Sequence, residues 1–407
     1  MTKDCRFCSS KLEEVISFGK MPIANAFLDK KDIDSEYFFE LASMFCPKCF
    51  LFQLKEQPAP EKLFHENYAF FAGTSSVMQK HFSDLSNELI NRFSLIDSDL
   101  VIEIGNNDGG MVKYLNDMGH IKHLGVDPSS NVADFARKQG VNMICDFFSL
   151  ELAKQIKEEH GKAKFFLAAN TLAHIPDINS VFEGISYLLN DEGIFITEDP
   201  YQVDLFDKIS YDQIYDEHVF IFSLTSMLNI CKKYDLNIFD VKYIPTAGGS
   251  LRYYITKNKN LVETQNVLKH LNLENKINFK IDQTYIDFYK NCENSKNRLN
   301  DTINKISKTK TIASYGATSK STTIFNYCNI GPSKISFITD TTHTKQNKLS
   351  PGMHIPIFNY EYFCKNMPEY CFLGAWNHKN EIFNKEANNF NIKGNWISHL
   401  DKINLNK

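Results

Sequence analysis

The sequence predicts an α/β chain: a small cysteine-rich module, then a doubly wound central unit, then a second, Rossmann-like α/β unit. Three observations carry this expectation. Two Cys-x-x-Cys knuckles, Cys5-Arg6-Phe7-Cys8 and Cys46-Pro47-Lys48-Cys49, open the chain. From about residue 75, helical and apolar strand-like stretches alternate, the pattern of a doubly wound sheet. Near residue 311 a strand, a glycine turn and a helix start begin again. At 407 residues the chain is too long for one compact core. Boundaries are expected at residues 1–70, 71–245 and 246–407.

In the first module, each knuckle presents two thiolates on a tight turn, and two turns close a tetrahedron around Zn²⁺. Cys5, Cys8, Cys46 and Cys49 are therefore the expected ligands of a structural zinc. All four donors are cysteine, no position stays open for water, and so small a module depends on metal to hold its core. Residues 9–45 separate the knuckles, a wide gap for a zinc ribbon, so an inserted excursion is expected with Met21–Leu28 packed inside it. The flanks carry too few cations for a ribbon that reads DNA.

A formal charge of -4 gives the chain as a whole no attraction to nucleic acid or anionic membrane. No apolar run approaches the length of a membrane span. The opening residues lack a secretory pattern, and ten cysteines then imply reduced thiols. A cytoplasmic enzyme, monomer or homodimer, is expected.

The central unit begins with a helical stretch, Val77 to Phe93, followed by strands at Leu100–Ile104, His123–Val126, Phe165–Ala169 and Gly193–Glu198. A further helix enters at Ser129, with Ala133, Ala136 and Arg137 along it. After the first strand comes Glu103-Ile104-Gly105-Asn106-Asn107-Asp108-Gly109, and the second strand ends in Asp127-Pro128. Gly105 lets the backbone turn sharply and approach a ligand. A carboxylate at the tip of the second strand accepts both hydroxyls of a ribose, the grammar of a nucleoside pocket at a parallel-sheet edge. The turn is not G-x-G-x-x-G, so a dinucleotide fits less well than S-adenosylmethionine, which has no pyrophosphate. Glu103, Gly105, Asn107, Asp108, Asp127, Pro128 and Asn170 are the expected cofactor contacts. Asp146 is placed to hold the adenine amino group and Phe147 to cover its face. A plain βαβ turn closed by Asn-Asp-Gly, and a satisfied loop acid at 146, are the competing readings.

A Lys- and Asn-rich helical stretch from about Leu261 to Lys308 leads into the third unit. Thr311–Tyr315 reads as a strand, Gly316-Ala317-Thr318-Ser319-Lys320 as a glycine turn, Ser321–Asn329 as a helix, and Ile335–Thr339 as the next strand before Asp340. Free N–H groups and a lysine at a helix start suit a two-phosphate ligand; a structural loop competes with that reading.

Between the sheets lie Glu198-Asp199-Pro200-Tyr201 and Tyr211-Asp212-Gln213-Ile214-Tyr215-Asp216-Glu217-His218. The second stretch packs two tyrosines, three carboxylates and a histidine into eight residues. Histidine suits proton transfer near neutral pH, and a tyrosine hydroxyl can donate to a developing oxyanion. His174 follows another strand and faces the same edge. Singly, each histidine is more often structural; their shared position gives them weight.

At these residues the chain resembles the S-adenosylmethionine-dependent C-methyltransferases of nucleotide-activated deoxysugars. The likeness runs through both knuckles, Tyr68-Ala69-Phe70-Phe71-Ala72-Gly73-Thr74-Ser75, the Gly105 turn, Leu172-Ala173-His174-Ile175-Pro176-Asp177 and Tyr215-Asp216-Glu217-His218. It continues through Gly248-Gly249-Ser250-Leu251-Arg252, Tyr315-Gly316-Ala317-Thr318-Ser319-Lys320, Pro351-Gly352-Met353-His354-Ile355-Pro356 and Ala375-Trp376-Asn377. The resemblance implies a zinc-binding domain, a central methyltransferase sheet and a Rossmann-like third domain. It implies that a proton is taken from carbon beside a sugar ketone and that the enolate receives the methyl group. His218 would be the base, supported by Tyr215 and Glu217, with His174 and Tyr68 lining the pocket. Arg252, whose fork suits an anion, would contact the nucleotide-diphosphate sugar, with Ser250, Gly316, Lys320 and His354 from the matched strings. Two departures stand out: the family commonly has histidine where this chain has Asp216, and again where it has Ala247. Both would alter the charge of the sugar pocket. Alternatives are transfer to oxygen or nitrogen of a related sugar, a non-catalytic sugar-nucleotide binder, and an NAD-dependent oxidoreductase, which the missing G-x-G-x-x-G disfavours.

Overall fold

The computed structural model describes residues 4–64, 73, 76–119, 122–403 and 405. Tyr68 lies outside the described residues. The excursion between the knuckles is an antiparallel hairpin, β1 (Glu13–Pro22) and β2 (Phe38–Phe45), extended by β3 (Phe52–Leu54). Its core is Ile16, Phe18, Leu41, Phe45 and Phe52, all buried. The 21–28 segment only partly packs within it, which corrects the expectation. Met21 and Pro22 end β1 and Ala24 is buried, but the chain then leaves the module and meets the other two domains.

Five parallel strands form the middle of the central sheet: β4 (Val101–Ile104), β5 (His123–Val126), β6 (Met143–Ile144), β7 (Ala163–Ala169) and β8 (Leu189–Pro200). Alternate residues point to opposite faces, and both faces are covered. Val101, Phe165, Leu167, Ile194 and Ile196 pack with Phe82, Leu85 and Leu89 of the helix Ser76–Phe93. Ile102, Phe166 and Phe195 pack on the other side with Leu152, Ile156 and Phe182. Covering on both faces explains why these strands read as continuous apolar runs rather than alternating ones.

The chain then sends a two-residue strand, β9 (Phe220–Ile221), back to pair with β3 of the zinc module. It returns as the hairpin β10 (Asn237–Ile244) and β11 (Ser250–Thr256), and β11 lies antiparallel on β8. The sheet order is β10-β11-β8-β7-β4-β5-β6. The boundary expected after residue 245 therefore falls inside this sheet, because its last strand comes from residues 250–256. Polar, partly exposed positions in β10 hid the hairpin from a reading based on apolar runs.

The stretch 261–308 is two helices, Gln265–Ile277 and Asp282–Ile306, broken where Asn278 takes a left-handed φ of 63°. Beyond them β12 (Ile312–Tyr315), β13 (Ile338–Thr339), β14 (Ile357–Phe358), β15 (Tyr370–Leu373) and β16 (Asn395–Ile397) form an all-parallel sheet ordered β14-β13-β12-β15-β16. Only two residues of the expected strand 335–339 pair. The helix after β12, Ser319–Tyr327, starts two residues early because Thr318 caps it, its hydroxyl accepting from Ser321 N at 3.1 Å.

Arg252 does not face a ligand edge. It lies buried on β11, where its Nε donates to Glu198 Oε1 at 2.5 Å and its Nη1 to Glu88 Oε2 at 2.9 Å. His81 reaches the second oxygen of Glu198 at 2.6 Å, so the helix Ser76–Phe93 is tied to the sheet by a buried charge network. Burial alone would raise the Glu198 pKa; Arg252 and His81 outweigh it and hold it below the usual carboxylate range. This corrects the expected phosphate contact. Arg252→Ala strands a buried carboxylate, and breaking such a pair costs about 3–5 kcal/mol. Thermal unfolding should show that loss, while the KM for any acceptor in the surviving folded enzyme stays near the wild-type value.

Candidate active site

The central sheet changes direction between β4 and β7: the chain runs outward through β5 and β6, then returns to β7 and β8. Ligands bind outside the carboxyl ends of strands at such a point. Gly105, just past β4, has a φ of 62°, and a side chain there would run into Thr171, which follows β7. Asp127, just past β5, accepts from Asn107 N and Ser129 N, both at 2.9 Å. Each of its oxygens keeps a free lone pair for a hydroxyl donor, so the acid shapes the turn and remains able to bind. Asn107 and Asn170 both adopt left-handed φ, and the buried Oδ1 of Asn170 has no partner among the described residues. Burial raises Glu103 to about 8. Its carboxyl accepts from Asn106 Nδ2. Asp108 points away from this turn to accept from Gly73 N at 2.9 Å. Pro128 follows Asp127, and its carbonyl accepts from Cys145 Sγ at 3.6 Å. Asp146 and Phe147 are exposed at the end of β6, with Asp146 Oδ1 accepting from Phe147 N. An unfilled acceptor, a turn that admits no Cβ and an acid at the ribose position fit S-adenosylmethionine.

Tyr211–His218 is buried at every residue. His218 Nδ1 lies 2.8 Å from the Gln213 carbonyl, which can only accept, so Nδ1 carries the hydrogen. Nε2 then holds the lone pair, and the Tyr215 hydroxyl donates to it at 2.8 Å. Burial, then His174 and Lys320, holds His218 well below its ordinary pKa, so the ring is neutral. Burial likewise keeps Tyr215 protonated by raising its pKa well above the usual value. His174 stands with its ring centroid 5.2 Å from that of His218, and burial lowers its pKa to about 4. Its turn is fixed by Asp199, which accepts from Ala173 N at 3.0 Å. Glu217 lies 3.9 Å from His174 Nδ1.

The third domain reaches the same cluster from its own switch point, between β12 and β15. Gly316, with a φ of 96°, makes the turn after β12 and packs on Ala375 after β15. Lys320 stands on the following helix. Burial lowers its pKa, Asp212 and Glu217 oppose that, and its Nζ has no hydrogen-bond or ion-pair partner among the described residues. Lys345 lies beside it in function: its Nζ donates to the Ala317 carbonyl at 2.8 Å and sits 4.9 Å over the Phe27 ring.

Three further expectations are corrected. Ser250 is buried and its hydroxyl donates to the Thr246 carbonyl at 3.1 Å. His354 is joined to Glu36 of the zinc module at 2.8 Å, in a loop whose Gly352 N donates to the same carboxylate at 2.7 Å. The Ser250 hydroxyl and the His354 Nε2 are thus each committed to a partner within the chain. Asp216 turns away from His218 to accept from Ala24 N at 3.0 Å, and burial, then Glu217, raises its pKa, so it is a neutral packing acid. Sequence reasoning missed Asn25, Lys345 and the Asp212 contacts to Trp376 (2.6 Å) and His399 (3.1 Å). No local pattern marks them, because Asn25 and Asp212 act through partners more than a hundred residues away and Lys345 through a turn 28 residues before it.

The four knuckle sulfurs lie within 4.8 Å of one another, with Cys5–Cys49 at 3.6 Å and Cys8–Cys46 at 3.5 Å. A tetrahedron of Zn–S bonds of about 2.3 Å has edges of about 3.8 Å, so the set fits zinc. The two knuckles fold alike: Ser9 N donates to the Cys5 carbonyl and Phe50 N to the Cys46 carbonyl, with Ser9 and Phe50 both in left-handed φ.

Two outcomes follow from these geometries. Cys46→Ser should lose zinc by metal analysis together with solubility, since metal binding is folding energy in so small a module. Asp127→Ala removes a charged acceptor worth on the order of 1.5–3 kcal/mol, so calorimetry should find S-adenosylmethionine bound roughly 10- to 150-fold more weakly. Because Asp127 also holds two backbone amides, a modest fall in melting temperature should accompany it.

The chain is similar to three family profiles: a zinc binding domain over residues 5–64, a methyltransferase domain over 78–241 and a C-methyltransferase C-terminal domain over 245–400. It is 31% identical over 398 residues to the C-methyltransferase NovU of Streptomyces niveus, covering 97% of this chain and 94% of that protein. Among solved structures, an S-adenosylmethionine-dependent methyltransferase from Anabaena variabilis is 17% identical with a TM-score of 0.37, over 46% of this chain and 87% of that one. Magnesium protoporphyrin IX methyltransferase from Synechocystis PCC 6803, with bound SAH, is 12% identical with a TM-score of 0.36, over 45% and 88%. With its zinc module, its methyltransferase sheet and a relative matched almost end to end, the chain belongs to the C-methyltransferase family that includes NovU and is an S-adenosylmethionine-dependent methyltransferase.

Proposed function

We propose that the acceptor is a keto-deoxysugar carried on a nucleoside diphosphate, and that the carbon beside its ketone is methylated after loss of a proton to His218. One observation carries this reading: a neutral, buried imidazole with its Nε2 lone pair on a tyrosine hydroxyl, close to a half-buried lysine that has no hydrogen-bond or ion-pair partner among the described residues. A proton next to a ketone is weakly acidic, so its removal needs a base and a donor for the enolate oxygen. The C–H electron pair becomes the enolate π bond as the proton passes to Nε2. The single Nε2 lone pair cannot serve both partners, so the Tyr215 hydroxyl first turns from Nε2 to the ketone oxygen and goes on donating a hydrogen bond there as the enolate forms. Bound S-adenosylmethionine supplies the methyl group on a positively charged sulfur.

The electrostatics support an anionic substrate. Lys320 is one of the charges that depress the His218 pKa. A diphosphate placed against Lys320 and Lys345 would neutralise that effect and make His218 a stronger base only when substrate is present. The relative named as a C-methyltransferase supports carbon as the acceptor atom.

Mass spectrometry after incubation with S-adenosylmethionine and a panel of keto-deoxysugar nucleotides tests this. A product heavier by one methyl, resistant to ether cleavage, is the expected result. His218→Asn should abolish both methyl transfer and exchange of the sugar α-proton with deuterated water, while S-adenosylmethionine still binds. Wild-type exchange in that variant would move the base elsewhere, with His174 next in line.

A further inference from the structure

We propose that Asn25, contributed by the zinc module, is a positioning residue of the active site that acts through Glu217. The proposal rests on the reading of residues 211–218 as a proton-transfer centre. Asn25 Nδ2 donates to Glu217 Oε1 at 2.7 Å. The backbone that carries it is fixed from two sides. Ala24 N donates to Asp216 Oδ1 at 3.0 Å, and the Ala24 carbonyl accepts from the Thr322 hydroxyl of the third domain, also at 3.0 Å. Leu28 pairs with Leu349 through backbone hydrogen bonds of 3.1 and 2.8 Å. The segment from Ala24 to Leu28 is thus clamped between the central and third domains.

Glu217 needs such a partner. It is buried, and its surroundings hold competing charges and rings: Asp216 beside it in the chain, His174 at 3.9 Å, His218 next in sequence, and Lys320 and Lys345 from the third domain. A fixed donor on Oε1 sets where the carboxylate stands, with Oε2 3.9 Å from Nδ1 of His174, whose ring faces His218. The zinc module then serves the chemistry through one amide, with the metal remote from the reacting atoms.

Asn25→Ala removes the donor; Asn25→Asp keeps its size and sets a second carboxylate against the first. Measured on the full zinc-loaded enzyme with S-adenosylmethionine and the keto-sugar nucleotide it turns over, α-proton exchange should fall about 10- to 100-fold in Asn25→Ala, the range expected for a hydrogen bond to a charged group. Asn25→Asp should fall further, with zinc content and S-adenosylmethionine affinity unchanged in both. A residue that only fills space would give the reverse order, since Asp is the closer isostere. In a Glu217→Gln background the effect of Asn25→Ala should vanish. Unchanged exchange in Asn25→Ala, or an undiminished effect in that background, overturns the proposal; if Asn25→Asp fails to fold, this pair decides alone. Wild-type enzyme that exchanges no proton from any sugar of the panel defeats the substrate reading instead. The coupling is then read from the His174 imidazole resonances of the substrate-free enzyme, which Asn25→Asp must shift; if they do not move, the proposal falls.

Discussion

A stretch of eight residues with three carboxylates, Tyr211–His218, is buried throughout, and the arrangement of the domains depends on satisfying it. Taking an ionised carboxylate out of water costs several kcal/mol unless donors or cations meet it. The other two domains supply several of them. Asp212 accepts from Trp376 of the third domain, Asp216 from Ala24 and Glu217 from Asn25 of the zinc module. Gln57, again from the zinc module, donates to the Asp216 carbonyl at 3.2 Å. Three domains thus contribute hydrogen-bond partners to this segment. The same desolvation keeps His218 and His174 neutral and Tyr215 protonated, which is the state that proton abstraction requires.

Both parallel sheets contribute from their switch points. In the central sheet the divergence of β4 and β7 opens the edge where Gly105, Asp127 and Asn170 gather. In the third domain the divergence of β12 and β15 brings together the Gly316 turn, Lys320 and Trp376. Trp376 also packs on Gly248, where any side chain would collide with the indole. Gly248 therefore reads as a docking point for the third domain, Gly249 packs on Asp204 of the central domain, and the arginine that follows serves the sheet behind them.

The sequence was most legible where function follows from local geometry. Cysteine spacing marks a metal site because two-residue knuckles fix sulfur positions, and a strand, a glycine and an acid mark a nucleoside edge because turn and carboxylate are adjacent in the chain. The apolar runs of β4, β5, β7 and β8 were legible because sheets buried on both faces leave no polar alternation. What stayed hidden was long-range. Arg252 has the chemistry of an anion binder, and only the fold reveals Glu198 and Glu88 around it. His354 looked available in a loop that is closed by Glu36 from the other end of the chain. Lys345 carried no motif, yet its charge, like that of Lys320, acts on Glu217. The β10–β11 hairpin was missed because membership of the sheet is decided by β8, not by its own pattern.

The Asp216 departure illustrates how position outweighs residue type. In the sequence an acid in place of histidine, between Tyr215 and Glu217, suggests a more negative sugar pocket. In the fold its side chain leaves the pocket side of the segment and accepts a backbone amide from Ala24. Its second oxygen is buried with no partner among the described residues, and burial beside Glu217 favours the protonated acid. A neutral carboxylic acid and a neutral imidazole carry the same charge, and each can accept one N–H. The exchange therefore bears on how the zinc module is held, through the Ala24 amide. Substrate preference must then be sought in groups that still face the cleft with free valence, and Lys320, whose Nζ has no hydrogen-bond or ion-pair partner among the described residues, is the foremost of them.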